Sequence, residues 1–168
     1  FNQIESYKKN KNKKITIDKM PLNLVHVGEI LRFFPNAKFI LALRHPYDCV
    51  LSCFMQNFML NHAMANFLNL DDTLKLYDLT MSLWKKYNNV FKIDHHLIRY
   101  EDVVSNFKKI IGDLLKFLNV KWSDNVIEFY KTAEKRGIIN TPSYNQVSQP
   151  IYSNSCLLYT SDAADELL

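Results

Sequence analysis

Residues 39–43 form an unbroken apolar run, Phe-Ile-Leu-Ala-Leu, which stops abruptly at Arg44, His45 and Pro46. A run of this length and composition reads as a strand buried on both faces of a parallel sheet. Pro46 keeps the preceding residue out of the helical region and cannot extend a central strand, so the chain must turn here. Beyond the turn Val50, Leu51, Phe54 and Phe58 recur at helical spacing, and Asp48 stands where it can cap that helix. Arg44 then leaves the carboxyl end of the strand, and Ser52 lies about one turn into the helix. That edge of an open α/β sheet is where ligands bind. A guanidinium beside a hydroxyl offers a phosphate one forked donor and a second hydrogen bond. The same spacing also suits a plainer role, in which Arg44 pairs with a local carboxylate such as Asp48.

The rest of the chain alternates in the same manner. Residues 15–17, Ile-Thr-Ile, are a short strand candidate that would deliver Lys19 to the same rim as Arg44. Pro21 and Asn23 lead into a helix bearing Leu24, Val27, Ile30 and Leu31, which ends near Pro35 and Asn36. Strand, helix and strand at this spacing make a crossover unit of a parallel sheet. Asp71 and Asp72 are expected to cap a long helix over 73–87, with Leu76, Leu79, Thr80, Leu83 and Trp84 as its apolar stripe. Residues 95–100 read as the next strand, with Tyr100 at its end. Adjacent strand residues face opposite sides, so His95 and His96 cannot ligate one metal together. Residues 106–118 form an amphipathic helix ending at Asn119, and 122–135 a further one opened by Ser123 and Asp124. The predicted class is α/β.

Composition narrows the partners. A chain of 168 residues with 48% apolar content is one domain with a sizeable core. Its net charge of +4 suits an anionic ligand and does not point to nucleic acid. The three Gly form neither Gly-x-x-x-x-Gly-Lys nor Gly-x-Gly-x-x-Gly. Cys49, Cys53 and Cys156 are odd in number, and the first two stand one helical turn apart. They are expected to be reduced, buried thiols, with no disulfide framework and no zinc site. No stretch reaches the length of a membrane span, and no signal peptide is visible. Residues 7–14 carry five Lys and read as solvated. The Asn-, Met- and Phe-rich stretch 57–70 reads either as core or as the acceptor side of a site.

The segment Arg-His-Pro-Tyr-Asp-Cys-Val-Leu-Ser (44–52) resembles the 3′-phosphate-binding segment of sulfotransferases, an Arg-x-Pro-x-Asp-x-x-x-Ser frame. Residues 18–23, 34–38, 99–104 and 141–152 resemble the same family in order, so the likeness covers roughly 15–153. It is greatest to the tetratricopeptide-linked and tyrosylprotein-type branch. The resemblance implies a P-loop-like fold with a short parallel sheet flanked by helices. It implies transfer of a sulfuryl group from 3′-phosphoadenosine 5′-phosphosulfate (PAPS) to a hydroxyl acceptor, small molecule or peptide, without a metal. Arg44 and Ser52 would hold the 3′-phosphate, with Tyr100 and Gln146 as further donor-binding residues. Lys19 would approach the sulfuryl group or bridging oxygen, where a fixed ammonium strengthens as charge builds on the leaving phosphate. Ser143 would contact the transferring group. Lys19 also reads as a solvated turn lysine, and Tyr100 as a strand-end tyrosine packing on the following helix.

The family pattern is incomplete. A Pro-x-Ser-Gly-Thr-like loop, which cradles the 5′-phosphosulfate at a helix amino terminus, has no counterpart. The position two after Lys19, where one branch has a catalytic His, is Pro21. The expectation is a carboxyl-terminal part of a sulfotransferase domain over 15–155, lacking the first strand and the 5′-phosphate loop and inactive alone. Residues 1–14 would be a solvated segment, and 156–168 resemble an adapter-derived tail. A tetratricopeptide repeat domain is an expected amino-terminal neighbour. Nucleic acid is not an expected partner. The expected compartment is the cytoplasm, or the Golgi lumen for a tyrosylprotein-type parent. A nucleotide or nucleoside kinase of related topology and a non-catalytic nucleotide-binding remnant are the alternatives.

Overall fold

Two parallel strands, β1 (Phe39–Leu43) and β2 (His95–Arg99), pair in register from Phe39↔His95 to Leu43↔Arg99. β1 is the apolar run itself, residue for residue. The computed structural model describes residues 15–131 and 149–151. The 1–14 segment expected to be solvated, Ser143, Gln146, Cys156 and the 156–168 tail lie outside the described residues. A 3₁₀ turn, Pro21–His26, leads into α1 (Val27–Phe33), and α2 (Pro46–Met55) follows β1. A second 3₁₀ turn, Met64–Leu68, precedes the long α3 (Leu70–Phe91). After β2 come α4 (Tyr100–Ser105) and α5 (Phe107–Phe117), then a 3₁₀ turn, Asp124–Val126. This is the expected α/β class, a short parallel sheet flanked by helices.

The core lies between one sheet face and helices α1 and α3. Trp84 of α3, Val27 of α1, Leu41 of β1 and Ile93 form it, with Leu24, Leu31, Phe39, Leu43 and Tyr87 packed around. The Trp84 ring stands 6.4 Å from Phe39 and edge-on to His95 at 5.3 Å. On the opposite face His96 stacks on Phe117 of α5, also at 5.3 Å. The two histidines therefore point to opposite sides. Lys38 ties that face at its foot, donating to the Phe117 carbonyl at 2.6 Å with its ammonium 4.5 Å from the ring centre.

Several sequence expectations are corrected. β1 is not buried on both faces: Ile40 is 40% exposed, because α5 packs chiefly on β2 and leaves Ile40 open. Residues 15–17 are not a strand; Ile15 and Ile17 are 49% and 72% exposed. Two isoleucines around one threonine bury too little to hold a ladder there, so the crossover expected from 15–17 to β1 does not form. The cap of α2 is not Asp48. The helix begins at Pro46, which needs no amide partner in the first turn, and Asp48 falls inside it.

Nor do Asp71 and Asp72 cap α3. Asn69 does, accepting from their amides at 2.8 and 3.4 Å, and the two carboxylates sit in the first turn. The inward face of α3 runs through Thr73, Tyr77, Thr80, Trp84 and Tyr87. Leu79 stands about 100° away from Thr80 and is 67% exposed. β2 ends at Arg99, so Tyr100 is the first residue of a helix and not the last of a strand. The single helix expected over 122–135 is interrupted: a 3₁₀ turn at Asp124–Val126 gives way to helix only at 129–131. Asp124 is engaged by the Trp122 indole N–H at 3.2 Å, and Ile127 is 46% exposed instead of packing. By contrast α5 ends where expected, at Asn119 with φ 55°.

Candidate functional site

Because Leu43 and Arg99 are paired, the next residues along the two strands, Arg44 and Tyr100, emerge side by side at the carboxyl rim. The Arg44 guanidinium carbon lies 5.8 Å from the Tyr100 ring centre, within cation–π range. Its Nη2 stands 3.9 Å from Asp48 Oδ2, where the Arg44 side chain is 25% exposed and that of Asp48 is 0% exposed. The plainer role read from the sequence, an ion pair with Asp48, is therefore present. It does not exhaust the group. A guanidinium carries five N–H donors in one plane and can serve a buried carboxylate and an incoming anion together.

Glu101 closes the rim. Its Oε1 accepts from the His45 amide at 2.8 Å, joining the exit of β1 to the exit of β2. Glu101 falls within the 99–104 segment but is not singled out by the sequence. The available signal was the pair of strand ends: an acidic side chain after one faces the uncapped first turn of the helix after the other. Glu101→Ala should destabilise the chain by about 1.5–3 kcal/mol, the range for a charge-assisted bond. Glu101→Gln, which keeps an acceptor oxygen, should cost less. Urea denaturation midpoints test this; equal losses for Ala and Gln would show that the bond to His45 contributes nothing.

Ser52 is the seventh residue of α2, nearly two turns in, not one as read from the sequence. It lies one turn beyond Asp48 on the same helix face and is half-buried. Cys49 and Cys53 form the adjacent stripe, both free and half-buried. The Cys53 thiol hydrogen-bonds Cys49 and lowers its pKa to about 7; burial opposes this, and the Arg44 charge adds to the lowering. Cys53 is pushed up, mainly by the same hydrogen bond and then by burial. On the facing α3, burial raises Tyr77, and the Cys49 charge raises it further.

Lys19 is exposed, in an irregular segment ahead of the 3₁₀ turn Pro21–His26. That turn is anchored elsewhere. The Val25 carbonyl accepts from the Tyr87 hydroxyl at 3.1 Å, one turn past Trp84, which packs on Phe39 and His95 at the strands' amino ends. Among the described contacts, Arg44, Tyr100, Asp48 and Glu101 come together, and Lys19 does not join them. Beyond the carboxyl end of α2 lies a surface hollow of about 230 Å³, lined among others by Phe54, Asn57, Phe58, Met64 and Phe67. No group of three or more His, Cys, Asp or Glu suited to a metal occurs among the described residues. No helix among them is long and apolar enough to cross a membrane.

A family model described as the sulfotransferase family matches residues 2–124. The chain is also 32% identical over 145 residues to an uncharacterized protein of Aquifex aeolicus (strain VF5). That alignment covers 83% of this chain and 18% of the relative, so the chain spans about a fifth of that protein's length.

Proposed function

The chain belongs to the sulfotransferase family, and on that premise we propose that its rim is the 3′-phosphate part of a PAPS site in a protein that sulfates a hydroxyl acceptor. The observation that carries this reading is the juxtaposition of Arg44 and Tyr100 at the carboxyl ends of paired parallel strands, with Ser52 on the helix that follows. The residues fit the group. Arg44 is oriented by a buried carboxylate and an aromatic ring while a quarter of it stays open to solvent. A phosphate wants such a fixed planar donor and a hydroxyl beyond it. Tyr100 would lie beside the nucleotide.

When bound, the donor supplies the sulfuryl group and a phosphate leaving group. Lys19 and Ser143 would stabilise charge developing on the transferring group and the bridging oxygen, with Gln146 adding to donor binding. Lys19 starts from an exposed segment, so this role requires the segment to close over the donor. The tyrosylprotein-type branch, a preceding repeat domain and a supply of the 5′-phosphate loop from elsewhere in a longer parent belong to the same proposal. The hollow beyond α2 is the candidate acceptor side. Family membership sets the kinase alternative aside.

Binding of two nucleotides tests the reading. Calorimetric titration of the chain with adenosine 3′,5′-bisphosphate and with adenosine 5′-monophosphate should show tighter binding of the bisphosphate, by about ten- to a hundredfold. Equal affinity for the two would sink it.

A further inference from the structure

The thiols of α2 are not used by the anion site, yet they are arranged for chemistry. Cys49 and Cys53 are four residues apart in one helix, which puts their Cβ atoms about 5–6 Å apart on one stripe. The Cys49 amide bonds the His45 carbonyl at 2.9 Å, so this thiol stands in the first turns, where the helix dipole favours a thiolate. Both side chains are half-buried, so small reagents reach them. Arg44 supplies a positive charge from the turn before, and Asp48 is engaged by Arg44 at 3.9 Å. Tyr77 of α3 is within reach of the Cys49 charge, which adds to the burial that raises its pKa.

We propose that Cys49 and Cys53 form a peroxide-sensitive dithiol, in which Cys49 attacks and Cys53 resolves. The Cys49 thiolate displaces hydroxide from hydrogen peroxide: an S–O bond forms, the O–O bond breaks, and the sulfur becomes a sulfenic acid. The hydroxide takes a proton from solvent. The Cys53 thiol then attacks the sulfenic sulfur, an S–S bond forms, and the departing oxygen leaves as water with the thiol proton. Two thiols are oxidised and one peroxide is reduced to water. A disulfide needs Cβ atoms about 3.5–4.5 Å apart, closer than the helix holds them, so closing it bends the turn that carries Ser52.

The reactivity follows from where Cys49 stands, in the first turns of α2 with the Arg44 charge before it and the Cys53 thiol one turn on. The Cys53 thiol lowers the Cys49 pKa, and Arg44 adds to the lowering. Removing the Cys53 donor should slow the reaction of Cys49.

Treatment of the whole chain with hydrogen peroxide at pH 7, followed by dimedone and peptide mass spectrometry, tests the assignment. The unsubstituted chain should yield a peptide containing both cysteines and lacking two hydrogens. Cys53→Ala should stop at a dimedone adduct on Cys49, and Cys49→Ser should leave Cys53 unmodified. Iodoacetamide alkylation of Cys49 should rise with a midpoint near pH 7, shift upward in Cys53→Ala, and lose its distinction in denaturant. Three results would each overturn the proposal: Cys49 reacting no faster than N-acetylcysteine, the same rate in native and denatured chain, or dimedone on Cys53 of Cys49→Ser. None of these readouts depends on nucleotide binding, so the sulfotransferase reading can fail while this one stands.

Discussion

Arg44→Ala is expected to lower affinity for a 3′-phosphate-bearing donor by about ten- to a hundredfold, the weight of one charge-assisted contact. Arg44→Lys should recover only part of this, because a point charge cannot reproduce the planar fork. The ion pair with Asp48 adds a second effect, since truncation leaves a carboxylate with 0% exposure without its guanidinium partner. Breaking a buried pair costs about 3–5 kcal/mol; here the lower end applies, because Arg44 is a quarter exposed. The two effects separate cleanly. Asp48→Asn added to Arg44→Ala should restore much of the stability and none of the affinity. Adenosine 5′-phosphosulfate, which lacks the 3′-phosphate, should bind weakly and be nearly indifferent to Arg44→Ala. This is a double-mutant cycle with one partner changed on the ligand. If both donors lose the same affinity, Arg44 serves the fold through Asp48 and does not hold the phosphate.

The largest stability loss is expected for Trp84→Ala, about 3–5 kcal/mol for removing a buried aromatic. The Trp84 side chain is 5% exposed and joins α3 to the first residues of both strands through Phe39 and His95. For a chain of this size the loss corresponds to a fall in melting temperature of roughly 6–20 °C. Trp84→Phe keeps most of the apolar area and should cost well under half as much. Thermal melts followed by near-ultraviolet circular dichroism measure both. A loss below about 1 kcal/mol for Trp84→Ala would mean that the core is centred elsewhere.

What was legible in the sequence is what local chemistry decides. β1 has the boundaries read from its apolar run because Lys38 and Arg44-His45-Pro46 stop a strand on their own terms. α5 was equally plain, since its apolar stripe is regular and Asn119 takes the left-handed conformation that ends it. The Arg44–Tyr100 rim followed from two strand ends and a parallel register. The rest depended on partners that a sequence does not display. Ile15 and Ile17 have a strand's composition but no ladder to join among the described residues. Asn69 outcompeted Asp71 for the cap of α3 by reaching two amides from two residues earlier. Asp48, read as a cap, became a buried counter-charge because Pro46 starts the helix sooner. The strand expected to deliver Lys19 to the rim does not form.

The bond from the His45 amide to Glu101 spans 56 positions of chain. Arg44 and Tyr100 are as far apart in sequence, so their meeting, unlike the Arg44–Asp48 pair, has no local precursor in an unfolded chain. Closing a loop of that length costs roughly 3.6 kcal/mol of chain entropy before any contact across it is made. A parallel pair separated in this way is a slow, non-local element, whereas α3 can form its turns from near neighbours. An anion held by the rim therefore binds the folded chain and has nothing comparable to grip in the unfolded one. Its whole affinity is converted into folding free energy, rising by about 1.4 kcal/mol for each tenfold excess over the dissociation constant. A ligand of the proposed site would thus clamp the crossover that joins β1 to β2 and favour its closure.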